Sequence, residues 1–421
     1  MPEIHPFSCY CVKPEWAVEV VTPPYDAFSP AERAAFVEEH PGNYLNVIRS
    51  LDEFEDLQAP SLERLLEQNA ANLRSLLASG QFAWSEKPCL YLYRLISGEH
   101  EQTGLVCEIP VNAYAAGQAV KVHEQTRRDK EDQLLAYMET VGAASSPVCC
   151  TYRHQAAIDA VVREVMQSQE PRLDFQSVDG VRHTVWRIDQ AGRIKQLASL
   201  FAAIPVSYLT DGHHRAAVAW RYAQQERQAR NGRFTGQEPF NFLLVAFFPD
   251  NQLRILPYHR CVKGLNGLSK AEFLSRLEEY FTVTGFSRRP QAGYLPDRPR
   301  RFACLLDTDW YDLLLRPEVS VPEDPVQQLD VSLLQRFILE PVLGIREART
   351  DPRISYISGA GGEQGLENAV RQGFDAAFAC FGMSVQELIA VAEAGEVMPP
   401  KSTWFDPKAR SGLFVRMRNE G

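Results

Sequence analysis

The sequence predicts a mixed α/β protein. Two patterns carry that prediction. Strand-like apolar runs alternate with helix-period segments along most of the chain, and the helix ends are marked by capping residues and glycines. No internal repeat or heptad seam is present. With 421 residues there is material for about two or three domains and a sizeable core.

The elements follow in order. Ser29 caps a helix opening at Pro30, Glu32 closes the capping box, and Pro41-Gly42 stops it at His40. From Pro60 to Ser79, Leu62, Leu65, Leu66, Leu73, Leu76 and Leu77 recur at helical spacing, and Gly80 follows. Strands are expected at Cys89–Leu95 and Gly104–Val111, then a polar helix from near Arg127 with Thr126 as its cap. Val148–Tyr152 reads as a strand, His154–Gln167 as a helix, and Leu173–Ile188 as a hairpin turning at Val178-Asp179-Gly180-Val181. A helix (Ile194–Ala203), a strand (Val206–Leu209), a helix (His213–Arg230) and two strands (Phe242–Phe248, Leu253–Val262) come next. Beyond Gly264 there is a helix from Lys270, a Pro- and Arg-rich linker from Arg288 to Arg301, and a hairpin turning at Asp307-Thr308-Asp309. A helix over Asp330–Leu343 and two short βα-like units end the chain. A boundary near 265 gives an N-terminal α/β core over 1–265 and a smaller C-terminal α/β region over 266–421.

Composition narrows the function. The net charge of −10 argues against a nucleic-acid partner, although a local basic pocket is compatible with it. No apolar run reaches the ~18 residues needed to cross a bilayer, and the start lacks a secretory signal, so no membrane partner and a cytoplasmic location are expected. Nine cysteines without a Cys-x-x-Cys, several in apolar runs, predict buried free thiols and no zinc site.

The most informative segment is Ile204 to Trp220. A strand ends at Leu209, Asp211-Gly212 makes a tight turn, and a helix starts at once with Ala216, Ala219, Trp220 and Ala223 as its buried stripe. A helix start exposes unpaired N–H groups and the positive end of the dipole. His213, His214 and Arg215 add donors there, which makes an anion site, most naturally for phosphate. A lone Asp-Gly would be only a capped helix; the two histidines and the arginine favour function.

Two further segments carry chemistry. His123-Glu124 precedes a charged helix start, where Glu124 is the right type for a general base, or else part of a solvated helix entry. Met398-Pro-Pro-Lys-Ser-Thr403, with Lys408 and Ser411, crowds donors into a Pro-bounded loop that either closes over an anion or ties down the C-terminus. Phosphate-loop, nucleophile-elbow and dinucleotide fingerprints are absent.

Read together, Thr22-Pro-Pro-Tyr-Asp26, Asn46-Val-Ile-Arg49, His123-Glu-Gln-Thr126, Thr210-Asp-Gly-His-His-Arg215, Leu256-Pro-Tyr-His-Arg260 and Met398-Pro-Pro-Lys-Ser-Thr403, with Pro407-Lys408 and Ser411-Gly-Leu413, resemble an uncharacterised bacterial and archaeal family, domain of unknown function 1015. The resemblance spans essentially the whole chain; Thr210 departs from the family's usual Ala. Family members often neighbour serine-biosynthesis genes, which implies serine or phosphoserine chemistry. The Asp-Gly-His-His-Arg box also resembles the phosphate-binding turn of the ParB/sulfiredoxin-like superfamily, which implies a core of that fold. Sulfiredoxin chemistry needs a cysteine where His213 stands, and partition proteins need a basic DNA-binding domain. Kinases acting on free serine remain as the analogy.

The expectation is therefore a nucleotide-dependent phosphotransferase acting on a small hydroxyl metabolite, with free serine as the suggested one, using ATP or ADP with magnesium. Gly212, His213, His214 and Arg215 would hold phosphate, Asp211 would place the metal, and Glu124 would accept the hydroxyl proton. Arg260 and Lys401 are weaker candidates to complete the pocket. A metal-dependent hydrolase and a non-catalytic sensor of a phosphorylated metabolite are the alternatives.

Overall fold

The computed structural model describes residues 3–25, 28–54, 59–115, 117, 119–286, 290 and 293–418. Asp26 and the Arg288 end of the expected linker lie outside them. The chain forms two compact units, Met1–Leu253 with Pro407–Gly421, and Arg254–Asp406. The observed division thus falls at 253, where the sequence suggested 265, and the C-terminal segment returns to the first unit. Backbone pairing explains the return: Phe414–Met417 pairs with Tyr10–Val12 and with Ala143–Ala144. Arg416 and Arg418 then close on the buried Glu108 at 2.9 and 3.3 Å.

The first unit is built on an eight-stranded mixed sheet. Its order is Val120–Lys121, Ser207–Asp211, Val148–Tyr152, Phe242–Pro249, His100–Pro110, Leu90–Ser97, Arg182–Ile188, Leu173–Gln176. The central strands are apolar on both faces, as Val245 and Phe247 enter one core cluster while Leu244, Ala246 and Phe248 enter another. Such continuous apolar strands need cover on both sides. Helices Ala156–Ser168, Ala191–Ala202 and His213–Ala229 supply one layer through Ile158, Val161, Leu197, Phe201, Ala216 and Ala223. The other cluster gathers Leu73 and Leu76 of helix Leu62–Ala78 with residues of a small four-stranded sheet.

The second unit holds a six-stranded antiparallel sheet, ordered Phe281–Gly285, Asp309–Leu315, Arg301–Leu306, Ala376–Ala379, Tyr258–Val262, Ile354–Ser358. Two expected elements differ in detail. The strand expected over Leu253–Val262 is split at Pro257, which has no N–H for a ladder, into Ile255–Leu256 and Tyr258–Val262. The helix expected over Asp330–Leu343 is α-helical only over Asp330–Leu334 and widens to a π turn over Gln335–Leu339. All nine cysteines are buried free thiols. Among the described residues no helix is long and apolar enough to cross a membrane.

Candidate functional site

The Asp-Gly-His-His-Arg turn is formed as the sequence suggests. Strand Ser207–Asp211 buries Tyr208 and Leu209, and its pairing with Val148–Tyr152 slips between Leu209 and Asp211. A slip of this kind bends the strand and re-aims its last side chain. Gly212 follows at φ +95°, and the helix His213–Ala229 begins with no side-chain cap. Its first-turn N–H groups therefore have no capping oxygen from Gly212, the position where Ser, Asp or Asn usually supplies one. A Cβ at Gly212 would lie 2.9 Å from the nearest guanidinium atom of Arg215, in a backbone region that L side chains avoid. Gly212→Ala is expected to destabilise the first unit by about 1–2 kcal/mol. Urea unfolding of the variant checks this; an unchanged midpoint would mean that the turn relaxes without strain.

Charge is concentrated at Asp211. Arg215 Nη2 donates to its Oδ2 at 2.6 Å and Lys408 Nζ to its Oδ1 at 3.3 Å. Burial by itself would raise this carboxyl, but the Lys408 and Arg215 charges outweigh it and hold Asp211 well below the usual range. Arg215 also donates from Nη1 to the Pro147 carbonyl at 2.7 Å. Its guanidinium thus ties the helix start to the neighbouring strand as well as framing the turn. Both Asp211 oxygens face cations, so the expected placement of magnesium by Asp211 does not fit this arrangement: a divalent ion there would sit beside an ammonium and a guanidinium.

The two histidines of the box diverge, because adjacent residues on a helix point about 100° apart. His213 turns inward, its side chain 4% exposed, with Nδ1 3.6 Å from Glu124 Oε2. Its ring meets that of His123 edge-on at 4.6 Å. His214 turns toward the start of helix Arg128–Val141 and accepts the Arg127 N–H at Nε2, 3.0 Å away. Burial lowers the pKa of His213 well below the ordinary value, and it also lowers that of His214. The two rings therefore do not sit side by side: His213 faces Glu124 and His214 faces the Arg127 N–H. Thr126 is not the cap of helix Arg128–Val141; its hydroxyl donates to Glu131 at 2.5 Å.

His123 is the residue behind this arrangement. Among the described residues neither ring nitrogen has a partner in hydrogen-bonding geometry, and burial pushes its pKa down to about 4, with the Leu209 carbonyl and the Asp211 charge opposing without reversing it. His183, buried elsewhere in the same unit, is pushed down to about 3, chiefly by burial. Since the folded pKa values lie below the ordinary value of 6.5, the unfolded chain binds more protons in between. Stability is therefore full above about pH 6.5 and falls as the pH drops toward 4, by an amount on the order of a few kcal/mol for such buried groups. Urea midpoints measured from pH 7.5 to 5 should decrease steadily, and His123→Phe should flatten part of the slope. A flat profile in the wild type would contradict the buried neutral imidazoles.

Arg260 and Lys401 belong to the second unit. Arg260 is buried and donates to the Lys401 carbonyl at 3.0 Å, with its guanidinium 5.3 Å from the Tyr356 ring centroid. The Lys401 ammonium lies 5.1 Å from the Tyr258 ring centroid. In this unit, Arg260 holds the backbone of the 399–402 loop. The expected C-terminal loop is divided, its Lys401 half in the second unit and its Lys408 half in the first. The Lys408 half is fixed on both sides, by Gln102 on the Pro407 carbonyl at 3.0 Å and by the buried Arg410 on Asp179 at 2.6 Å. Lys408 is the functional candidate that sequence proximity could not supply, because 197 positions separate it from Asp211. Its signals in the sequence were the Pro407-Lys408 box and its place in the donor-rich, Pro-bounded loop. The metal-hydrolase alternative gains nothing here. Among the described residues no group of three His, Cys, Asp or Glu side chains is arranged to hold a metal ion.

Residues 4–332 match the family described as protein of unknown function, DUF1015. The chain belongs to that family. No curated protein matches this DUF1015 chain. Among solved structures, it is similar to a free serine kinase in complex with AMP at 14% identity and a TM-score of 0.35, covering 73% of this chain and 91% of that one. It is similar to SbnI with C-terminal truncation from Staphylococcus aureus at 12% identity and a TM-score of 0.39, covering 74% and 87%. A conserved hypothetical protein from Pyrococcus furiosus gives 13% identity and 0.34, covering 74% and 95%. The boxes that lie in the first unit differ in what they do. Asp211–Arg215, His123-Glu124 and Lys408 converge in the first unit, whereas Asn46–Arg49 serves packing there, with Arg49 on Glu53 at 2.9 Å and Asn46 on the His40 carbonyl at 3.0 Å.

Proposed function

We propose that this DUF1015 protein is a nucleotide-dependent phosphotransferase that acts on a small hydroxyl metabolite, with free serine the first to test. The observation that supports it is the convergence of an uncapped helix start, two cations on Asp211, and a half-exposed carboxylate, Glu124, beside the same helix turn. Phosphoryl transfer asks a protein mainly to position the reactants and neutralise charge. In this reading the first-turn amides of helix His213–Ala229 and Lys408 hold the phosphates of ATP or ADP. Asp211 orders Lys408 and Arg215, in place of the metal role that the sequence suggested for it. Glu124 accepts the hydroxyl proton as the oxygen takes up the phosphoryl group, leaving ADP from ATP or AMP from ADP. The buried His213 ring lies 3.6 Å from Glu124 and, with its pKa held down by burial, places no full positive charge beside that carboxylate. Serine enters from the family resemblance, not from the geometry.

The test is incubation of the full chain with ATP or ADP, magnesium and a panel of hydroxy metabolites that includes L-serine, followed by mass spectrometry. A phosphorylated product is expected. The reading fails if no product forms and no nucleotide binds.

A further inference from the structure

At the other end of the eight-stranded sheet from the Asp211 turn lies a cavity of about 440 Å³ that the proposed reaction does not use. The turn belongs to the second strand in the sheet order. The cavity walls come from the last three, Leu90–Ser97, Arg182–Ile188 and Leu173–Gln176, with the final turn of helix Ala156–Ser168. Its size is that of pockets that enclose small metabolites.

The wall chemistry is unevenly satisfied. The Arg94 guanidinium lies 5.0 Å from the Trp186 ring centroid, donates to the Thr184 hydroxyl at 3.4 Å and, among the described residues, has an ion-pair contact with a Glu101 oxygen at 3.9 Å. Most of its five N–H donors are therefore not engaged in strong bonds. Asp174, a carboxylate in the cavity wall, is already paired with Arg182 through bonds of 2.9 and 2.7 Å. Glu170 is exposed at the rim, and the carbonyl end of helix Ala156–Ser168 adds partial negative charge to that side. Met166 and Trp186 supply apolar surface between the two poles.

We infer that this cavity binds a free α-amino acid. A zwitterion matches both poles: its carboxylate takes a charge-assisted, bidentate contact with Arg94, and its ammonium faces Glu170 and the helix carbonyls. Its side chain rests on Met166 and Trp186. The site stands apart from the phosphotransfer reading and does not depend on it.

Calorimetric titration of free L-amino acids into the full chain tests the inference, together with Arg94→Met, Glu170→Gln and Lys408→Ala. At least one amino acid should bind the wild type. Arg94→Met, which keeps an apolar stem over Trp186, should weaken it roughly ten- to hundredfold, and Glu170→Gln about three- to tenfold. Lys408→Ala should leave it unchanged. The N-acetyl and carboxamide derivatives of the same amino acid should not bind, since each removes one charge. Should Arg94→Met fail to fold, judged by its melt, Glu170→Gln and the two derivatives decide. The inference is overturned if no amino acid binds, if the N-acetyl form binds as well as the free one, if a folded Arg94→Met binds as tightly as the wild type, or if Lys408→Ala loses binding.

Discussion

Glu124→Gln is expected to reduce phosphoryl transfer by roughly 10²- to 10⁴-fold, the usual contribution of a positioned general base. The amide has nearly the same shape but cannot accept the hydroxyl proton. Nucleotide affinity should hold, because Glu124 lies beside the turn rather than among the cations that face phosphate; its side chain is 44% exposed and buries little. Single-turnover assays alongside calorimetry separate the two effects. A variant that turns over at the wild-type rate would remove Glu124 from the chemistry, and one that loses nucleotide binding equally would make it a binding residue.

The second large effect is expected from Lys408→Ala. Removing a charge-assisted donor to phosphate costs roughly 1.5–3 kcal/mol of binding, a ten- to hundredfold weakening. The loss should shrink as salt is raised, since part of it is screened. The segment itself should stay in place. Gln102 on Pro407, Arg410 on Asp179 and the Gly412 N–H on Ser145 at 2.7 Å hold it without Lys408. Arg215→Ala is a less clean probe, because Arg215 also bonds the Pro147 carbonyl and its loss loosens the helix start. Unchanged nucleotide affinity in Lys408→Ala would take this lysine out of the phosphate site.

How much of this could be read from the sequence depended on the range of the forces involved. Local signals translated directly into structure. Ser29 and Glu32 form the capping box, with the Ser29 N–H on Glu32 at 2.7 Å, and Val148–Tyr152 is a strand over the expected residues. Gly212 takes the left-handed conformation that a tight strand-to-helix turn requires. Long-range features were not legible. Periodicity carries no information on which strand returns to which sheet, so the C-terminal strand Phe414–Met417 joining Tyr10–Val12 was missed, and with it the division of the Pro-rich loop between two units. The orientation of His213 and His214 was also hidden, because it is set by His123 and by the Arg127 N–H, contacts that come from other parts of the chain. The metal role suggested for Asp211 lost its basis for the same reason: the lysine on its other oxygen is 197 positions away.

If the Asp211–Arg215 turn holds nucleotide phosphate, calorimetric titration of ADP and ATP into the full chain shows it. Saturable binding is predicted for the wild type, weakened at least tenfold in Lys408→Ala and retained in Glu124→Gln. Absence of binding by either nucleotide and by inorganic phosphate, with or without magnesium, would make the turn a structural one.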